Sequence, residues 1–340
     1  TMPASVLAER TGWTGSASLF RDKVRAIRPE YLPADPVDRL VHEPGQAMQC
    51  DLWFPHEPLP LGYGQDGKPP VLVMTSAFSG YIQARMLPTR TTFDLLGGMW
   101  SLLQEAGAVP KQLAWDNESG IGQGRLTEPA AAFAGVLGCE FRQLPPRDPE
   151  SKGMVERMNR YFRQGFMPGR TFASPMDFND QLADWLPQAN ARYSRTRHGR
   201  PAELFVRDRE AMRPLSPVAP ESVFRSSVRL PRDYYVRVFS NDYSVDPGAI
   251  GRIVDVQADL KKVTVSAGGR VLASHERRWA KHQIFTDPAH VVKAASLRRL
   301  HRSVKAGRTA VVEERDLSIY DELFGVAIPD DARELSGAGR

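Results

Sequence analysis

Cysteine is almost missing from this sequence. Its two copies, Cys50 and Cys139, lie in separate segments with no CxxC spacing, and the chain has only seven histidines. That excludes a disulfide framework and a Cys/His zinc site and points to a reducing compartment. Both thiols read as small buried apolar groups. Long apolar runs are also missing: no stretch approaches the roughly 18 residues of a membrane span, and residues 1–30 lack the apolar centre of a secretory signal. No membrane partner is therefore expected.

What is present is globular material. The 340 residues, 41% hydrophobic and 25% charged, suffice for two or three domains with real cores. The net charge of +5 is unevenly spread. Residues 293–308, KAASLRRLHRSVKAGR, hold six Lys or Arg and no acid, and residues 191–213 hold seven Arg against three acids. Concentrated positive charge favours a polyanion by counterion release, although many helices carry a solvated basic face.

Punctuation divides the chain. Residues 3–28 predict two short helices separated by GWTG, with Ser16 placed to cap the second, a helix-turn-helix pattern. Prolines 29, 33, 36 and 44 then mark a linker. From about 39 to 166 strands and helices alternate. The strands are 47–54, 71–79 and 81–87 as an antiparallel meander, then 111–116 and the segment CEFRQLP; the helices are 91–106, about 128–137, and the run 152–166. A further helix spans 176–193, and residues 227–279 carry short strands with turn signals at SND, DPG and AGG, suggesting a small antiparallel barrel. The expected domains are a helix-turn-helix module at 1–28, a linker at 29–38, an α/β core at 39–170, a helix and basic linker at 171–226, a small β-barrel at 227–280, and a basic helical tail at 281–340 whose end is disordered.

The run 152–166 poses the functional question. Wound at about 100° per residue, it sets Lys152, Asn159, Arg160 and Arg163 around Glu156, while Met154, Val155, Met158, Tyr161, Phe162 and Phe166 fill the opposite arc. A solvated face with ion pairs at helical spacing is one reading. The other comes from two more acids at particular places: Asp51 inside the first strand, among Cys, Leu, Trp and Phe, and Asp116 ending the fourth, in LAWDNESG. A carboxylate inside a strand is costly unless its charge is compensated. The element order is that of the ribonuclease-H-like fold, which would bring all three acids to one end of the sheet, and a divalent cation is the simplest shared reason. Nearby acids have other uses: Asp148 and Glu150 suit a turn and a first helical turn, and Glu118 is a possible decoy. Asn117 could orient a metal-bound water or be a turn residue, and His56 could approach the site or be a solvated loop histidine.

The sequence resembles the DDE transposase/retroviral-integrase-like superfamily and, more narrowly, the IstA-type insertion-sequence transposases. The likeness is carried by EPGQAMQCDLWF, LAWDN, PRDPESKGMVERMNRYF and YSRTRHGRPAELF and extends over nearly the whole chain. The acids are 65 residues apart from Asp51 to Asp116 and 40 from Asp116 to Glu156. The resemblance implies catalysis and metal binding by Asp51, Asp116 and Glu156, with two Mg²⁺ ions replaceable by Mn²⁺. Asp51 would be shared between the ions. It implies 3′-end cleavage and strand transfer without a covalent enzyme intermediate. The implied partners are transposon-end DNA, target DNA, further copies of the chain in a dimer or tetramer, and an IstB-type AAA+ ATPase. The implied location is the bacterial cytoplasm, at the nucleoid. DNA contacts are expected from Lys152, Asn159, Arg160 and Arg163, and from the cluster Arg195, Arg197, His198 and Arg200. Lys261, Lys262, Arg277 and Arg278 could meet DNA or a second protomer. Family members usually carry a further helix-turn-helix ahead of the one at 3–28, so a longer N-terminal region is expected. Two other readings stay open: a catalytically silent DNA-end-binding or regulatory protein, and a ribonuclease-H-like nuclease without strand transfer.

Overall fold

The computed structural model describes residues 2–31, 41–144 and 160–308. The chain divides into two compact units, residues 1–43 and residues 44–340. In the first, α1 (Ala4–Arg10) and α2 (Ala17–Tyr31) are joined by a turn in which Gly12 takes a positive φ. Ser16 caps α2 as anticipated, its hydroxyl accepting from the Leu19 N–H at 3.2 Å. Trp13 packs on Phe20 with ring centroids 5.1 Å apart. The helix runs past Pro29 to Tyr31, further than the expected linker boundary, because a proline in the last turn forfeits a single N–H···O bond.

The second unit begins with β1 (Ala47–Trp53). A hairpin of β2 (Leu59–Gly62) and β3 (Gln65–Gly67) follows inside the turn-rich stretch where no strands were anticipated. Next come β4 (Val71–Ser76), β5 (Ile82–Met86), α3 (Thr92–Ala106), β6 (Ala108–Val109) and β7 (Gln112–Trp115). Then follow α4 (Glu128–Leu137), β8 (Glu140–Gln143), α5 (described over 160–165), α6 (Pro175–Asn190), α7 (Pro201–Ala211) and β9 (Arg213–Pro214). Residues 32–40, 145–159 and 309–340, with the linker, turn and tail expectations that fall on them, lie outside the described residues.

The main sheet has the order β5-β4-β1-β7-β8. Strands β4 and β5 run antiparallel to their neighbours, while β7 and β8 run parallel to β1. This is the strand plan anticipated for the ribonuclease-H-like core. Strand β4 is buried along its whole length, as a central strand covered on both faces must be. On one face Met48, Cys50, Leu72, Met74 and Trp115 meet α3 and α4; on the other Trp53, Val71 and Val73 meet Phe162, Phe166, Phe178, Leu182 and Trp185. Helices α3 and α4 end on Gly107 and Gly138 in the left-handed conformation, where a side chain would be strained.

Helix α6 lies in the segment 171–226, expected as a helix and basic linker following the 39–170 core. Its stripe of Phe178, Leu182, Trp185 and Ala189 is part of the core. Two asparagines bind the edge strand: Asn179 exchanges hydrogen bonds with both backbone groups of Met86 (2.8 and 3.1 Å), and Asn190 with both of Ile82 (2.8 and 2.9 Å). Helix α7 is fixed by Asp208, 1% exposed. Its carboxylate accepts from the Gly45 N–H (2.6 Å), the Ser79 hydroxyl (2.8 Å) and the Ser76 hydroxyl. Gly45 has φ +70, and a Cβ there would meet the Ala211 carbonyl at 2.4 Å, so only glycine admits this approach.

The β-rich region comprises β10 (Phe224–Arg229), β11 (Tyr235–Val238), β12 (Asn241–Ser244), β13 (Ile253–Ala258), β14 (Lys262–Ala267), β15 (Arg270–Glu276) and β16 (Ile284–Phe285). Instead of one continuous barrel, the described strands form two sheets, β10-β13-β14-β15 and β11-β12-β16, with β16 parallel to β12. Val236, Val238, Tyr243, Val254, Val256, Val263 and Val265 fill the core they share. Helix α8 (Pro288–Arg308) leaves this region, with His290 and Ala294 buried and residues 296–305 exposed.

Arg277, anticipated as a surface contact, is 4% exposed. Its guanidinium grips Asp94 of α3 through two bonds of 2.6 and 2.8 Å, donates to the Asp259 carbonyl at 2.8 Å and lies 4.1 Å from the Phe239 ring centroid. A planar fork that meets one carboxylate twice is a geometry lysine cannot reproduce. Burial explains why the residue is unavailable to DNA: it joins the β-rich region to the core.

Candidate active site

Strands β1 and β7 are parallel with Cys50 opposite Trp115. The next residues, Asp51 within β1 and Asp116 directly after β7, therefore stand at the same level of neighbouring strands roughly 4.8 Å apart. Cys50 and Trp115 belong to the core on the α3/α4 side. Alternation sends the two acids to the other face, where Trp53 stacks on Phe162 of α5 with centroids 5.2 Å apart. Asp51 is half-buried and Asp116 exposed.

The electrostatics reflect that crowding. Burial pushes the Asp51 carboxyl up to about 6; the Leu52 N–H opposes this, while the negative charges of Asp116 and Glu118 add to it. Asp116 sits in a tight turn, one carboxylate oxygen accepting from the Asn117 N–H at 2.8 Å. Glu118 accepts from the Ser119 hydroxyl at 3.2 Å and the Gly120 N–H at 3.4 Å. It was ranked as a decoy, yet its charge is felt at Asp51. His56 is exposed and pairs at 3.3 Å with Glu57 in the following loop. Both thiols are buried; burial raises Cys50 well above its ordinary value and Cys139 to about 12, so neither is a nucleophile.

Glu156, Lys152 and Asn159 lie outside the described residues. Among the described residues no group of three His, Cys, Asp or Glu side chains could hold a metal ion. Arg160 and Arg163 are exposed on α5, opposite the buried Phe162 and Phe166. Arg195, His198 and Arg200 are exposed in the turn before α7, with His198 at φ +50 and Arg200 3.9 Å from Glu203. Arg197 has a structural role: its guanidinium donates to the carbonyls of Phe78 (3.0 Å) and Ala77 (3.1 Å). It braces the end of β4 beside Ser76 and Ser79. Asp208, Asn179 and Asn190 were missed by the sequence reading. A helical wheel gives a partial signal, since Asn190 follows Leu182 and Leu186 at four-residue steps on the apolar side.

A family model described as Mu transposase, C-terminal domain, matches residues 215–287, the β-rich region. The transposase for insertion sequence element IS21 of Pseudomonas aeruginosa is 25% identical over 324 residues, covering 92% of this chain and 79% of that one. A protein of Sinorhizobium fredii named as a transposase is 27% identical over 264 residues, covering 74% of this chain and 51% of its own length; this chain thus spans about half of that relative. Among solved structures, a chain of the simian T-cell lymphotropic virus intasome in complex with PP2A regulatory subunit B56 gamma is similar at a TM-score of 0.41 and 14% identity. That match covers 84% of this chain and 100% of the other. By its sequence matches the chain is similar to transposases. One of these relatives is the transposase of an insertion sequence, IS21.

Proposed function

We propose that the protein is a DDE transposase that cleaves the 3′ end of an insertion sequence and joins that end to target DNA. The observation that carries this reading is the parallel register setting Asp51 beside Asp116, with one carboxyl raised to about 6. A carboxyl raised by burial and by the charge of a neighbouring carboxylate, the two offering hard oxygens, suits a divalent cation such as Mg²⁺ or Mn²⁺. Asp51 and Asp116 would hold it, with Glu156 as the third ligand. When bound, a pair of such ions activates an attacking oxygen and stabilises a leaving one. The chain's own residues do the rest. Arg160 and Arg163 on α5, with Lys152 and Asn159, hold phosphates that the carboxylates would repel. Arg195, His198 and Arg200 extend the backbone contacts. Water attacks the end phosphodiester and releases a 3′-hydroxyl; that hydroxyl then attacks a target phosphodiester, forming one P–O bond as another breaks. The partners on this reading are transposon-end and target DNA, further copies of the chain, and an IstB-type AAA+ ATPase.

The test is an assay of cleavage and joining on end-containing DNA with Mg²⁺. Asp116→Asn should abolish both steps and leave DNA binding nearly intact. A mutant as active as the wild type refutes the assignment, and cut but unjoined products from the wild type indicate a nuclease.

A further inference from the structure

Where the core meets the β-rich region there is a cleft of about 640 Å³, a volume typical of ligand sites. Its walls include Met86, Met176, Leu260 and Trp279. Met176 is 59% exposed and Trp279 half-buried, so apolar surface faces solvent, and methionines adapt to irregular apolar partners. The rim is charged. Arg277 is committed to Asp94, Glu276 to Arg278 and Arg85 to Glu105. Lys261 and Lys262 are exposed and form no ion pair among the described residues. They stand against one similarly placed acid, Asp180. An occupant that is apolar and flanked by acids fits this surface.

The sequence contains such a segment. Residues 316–331, DLSIYDELFGVAIPDD, hold five acids, no Lys or Arg, and an apolar centre that includes Leu323, Phe324 and Val326. They lie outside the described residues. Their charge is opposite to that of α8, which precedes them. We propose that the cleft is a socket for residues 316–331 of a second copy of the chain, so that neighbouring protomers are tied by exchanged segments.

Reach admits a second copy. The last buried residue of α8 is Ala294, and the helix continues to Arg308, carrying the chain roughly 20 Å further at 1.5 Å per residue. Residues 309–315 span at most about 25 Å when extended. Together these stretches allow about 45 Å between Ala294 and residue 316, a span long enough to cross between neighbouring protomers. The inference goes beyond the proposed chemistry, because the contact needs neither DNA nor metal.

The first test titrates a fluorescein-labelled peptide of residues 314–333 into full-length protein carrying Leu323→Asp and Phe324→Asp, which disable its own segment. Saturable binding is expected, weakened at least tenfold by Lys261→Glu with Lys262→Glu and by Ala183→Trp, which fills the cleft. Absence of saturable binding, or binding indifferent to all three substitutions, overturns the proposal. The second test mixes two differently tagged full-length chains, one with Ala183→Cys and one with Val326→Cys, under mild oxidation; the native thiols are buried. A crosslink joining the two tags is expected. A disulfide that forms only within a chain carrying both cysteines overturns the assignment to a second copy. Asp116→Asn should bind the peptide like the wild type, so failure of the catalytic reading and failure of this one are separable.

Discussion

Replacing Asp51 by Asn should make the metal-free protein more stable at neutral pH while removing its activity. A carboxyl whose ordinary value of 3.8 is raised to about 6 in the folded chain favours its protonated form there. At ~1.36 kcal/mol per pH unit, ionisation at pH 7 therefore costs the fold about 3 kcal/mol. The sign follows from proton binding: between about 3.8 and 6 the folded state holds more proton than the unfolded, so stability falls as pH rises through that window and the full penalty stands above 6. Asparagine keeps the shape without the charge but still buries a polar amide, so a recovery of about 1–3 kcal/mol is expected. That corresponds to a rise in Tm on the order of 5 °C. The assay is thermal unfolding in chelator from pH 4 to 8. The advantage of Asp51→Asn should be near zero at pH 4, grow through pH 6 and then level. Added Mg²⁺ should stabilise the wild type and leave the variant unmoved. A variant less stable than the wild type at pH 7, or a difference independent of pH, would refute the claim that Asp51 is held in a site unfavourable to its own charge.

Breaking the buried pair by Arg277→Leu or Asp94→Leu alone should cost about 3–5 kcal/mol, whereas the double substitution should recover much of it; additive losses in chemical denaturation would contradict coupling. Asp208→Ala should cost about 3 kcal/mol or more, since Gly45, Ser76 and Ser79 lose a shared acceptor; hydrogen exchange should rise first around residues 45 and 76–79. Arg195→Ala with Arg200→Ala should weaken end-DNA binding and lower its logarithmic salt slope by about 2, with Tm unchanged. Arg197→Ala should lower Tm instead, because its guanidinium is bonded to the carbonyls of Ala77 and Phe78.

Local pattern made much of this molecule legible. The alternation in AMQCDLWF told which face of β1 carries Asp51, and the run VLVMTS announced a strand of the meander. What pattern did not disclose are polar pairings between residues far apart in the chain. Arg277 and Asp94 are 183 positions apart, and a basic residue in a surface-like HERRW stretch carries no mark of its burial. Asp208 sits in an arginine-rich segment, where charge balance suggested a solvated linker. Arg197 was read by its charge and not by the two carbonyls that needed a donor. The hairpin of β2 and β3 escaped because prolines and glycines dominate its stretch, and turn chemistry hid the pairing. Glu118 was read only as a possible decoy, although its charge reaches Asp51.

The two asparagines of α6 have a consequence for crowded settings. A sheet margin with unclaimed amide groups invites annexation by any extended chain that drifts past. By occupying the backbone of Met86 and Ile82 at either end of β5, α6 closes that frontier with groups that carry no charge and so ask nothing of pH or salt. Many copies could gather on one nucleic acid without zipping together along this border. Contacts among them would instead have to be made by side chains, which can be let go again.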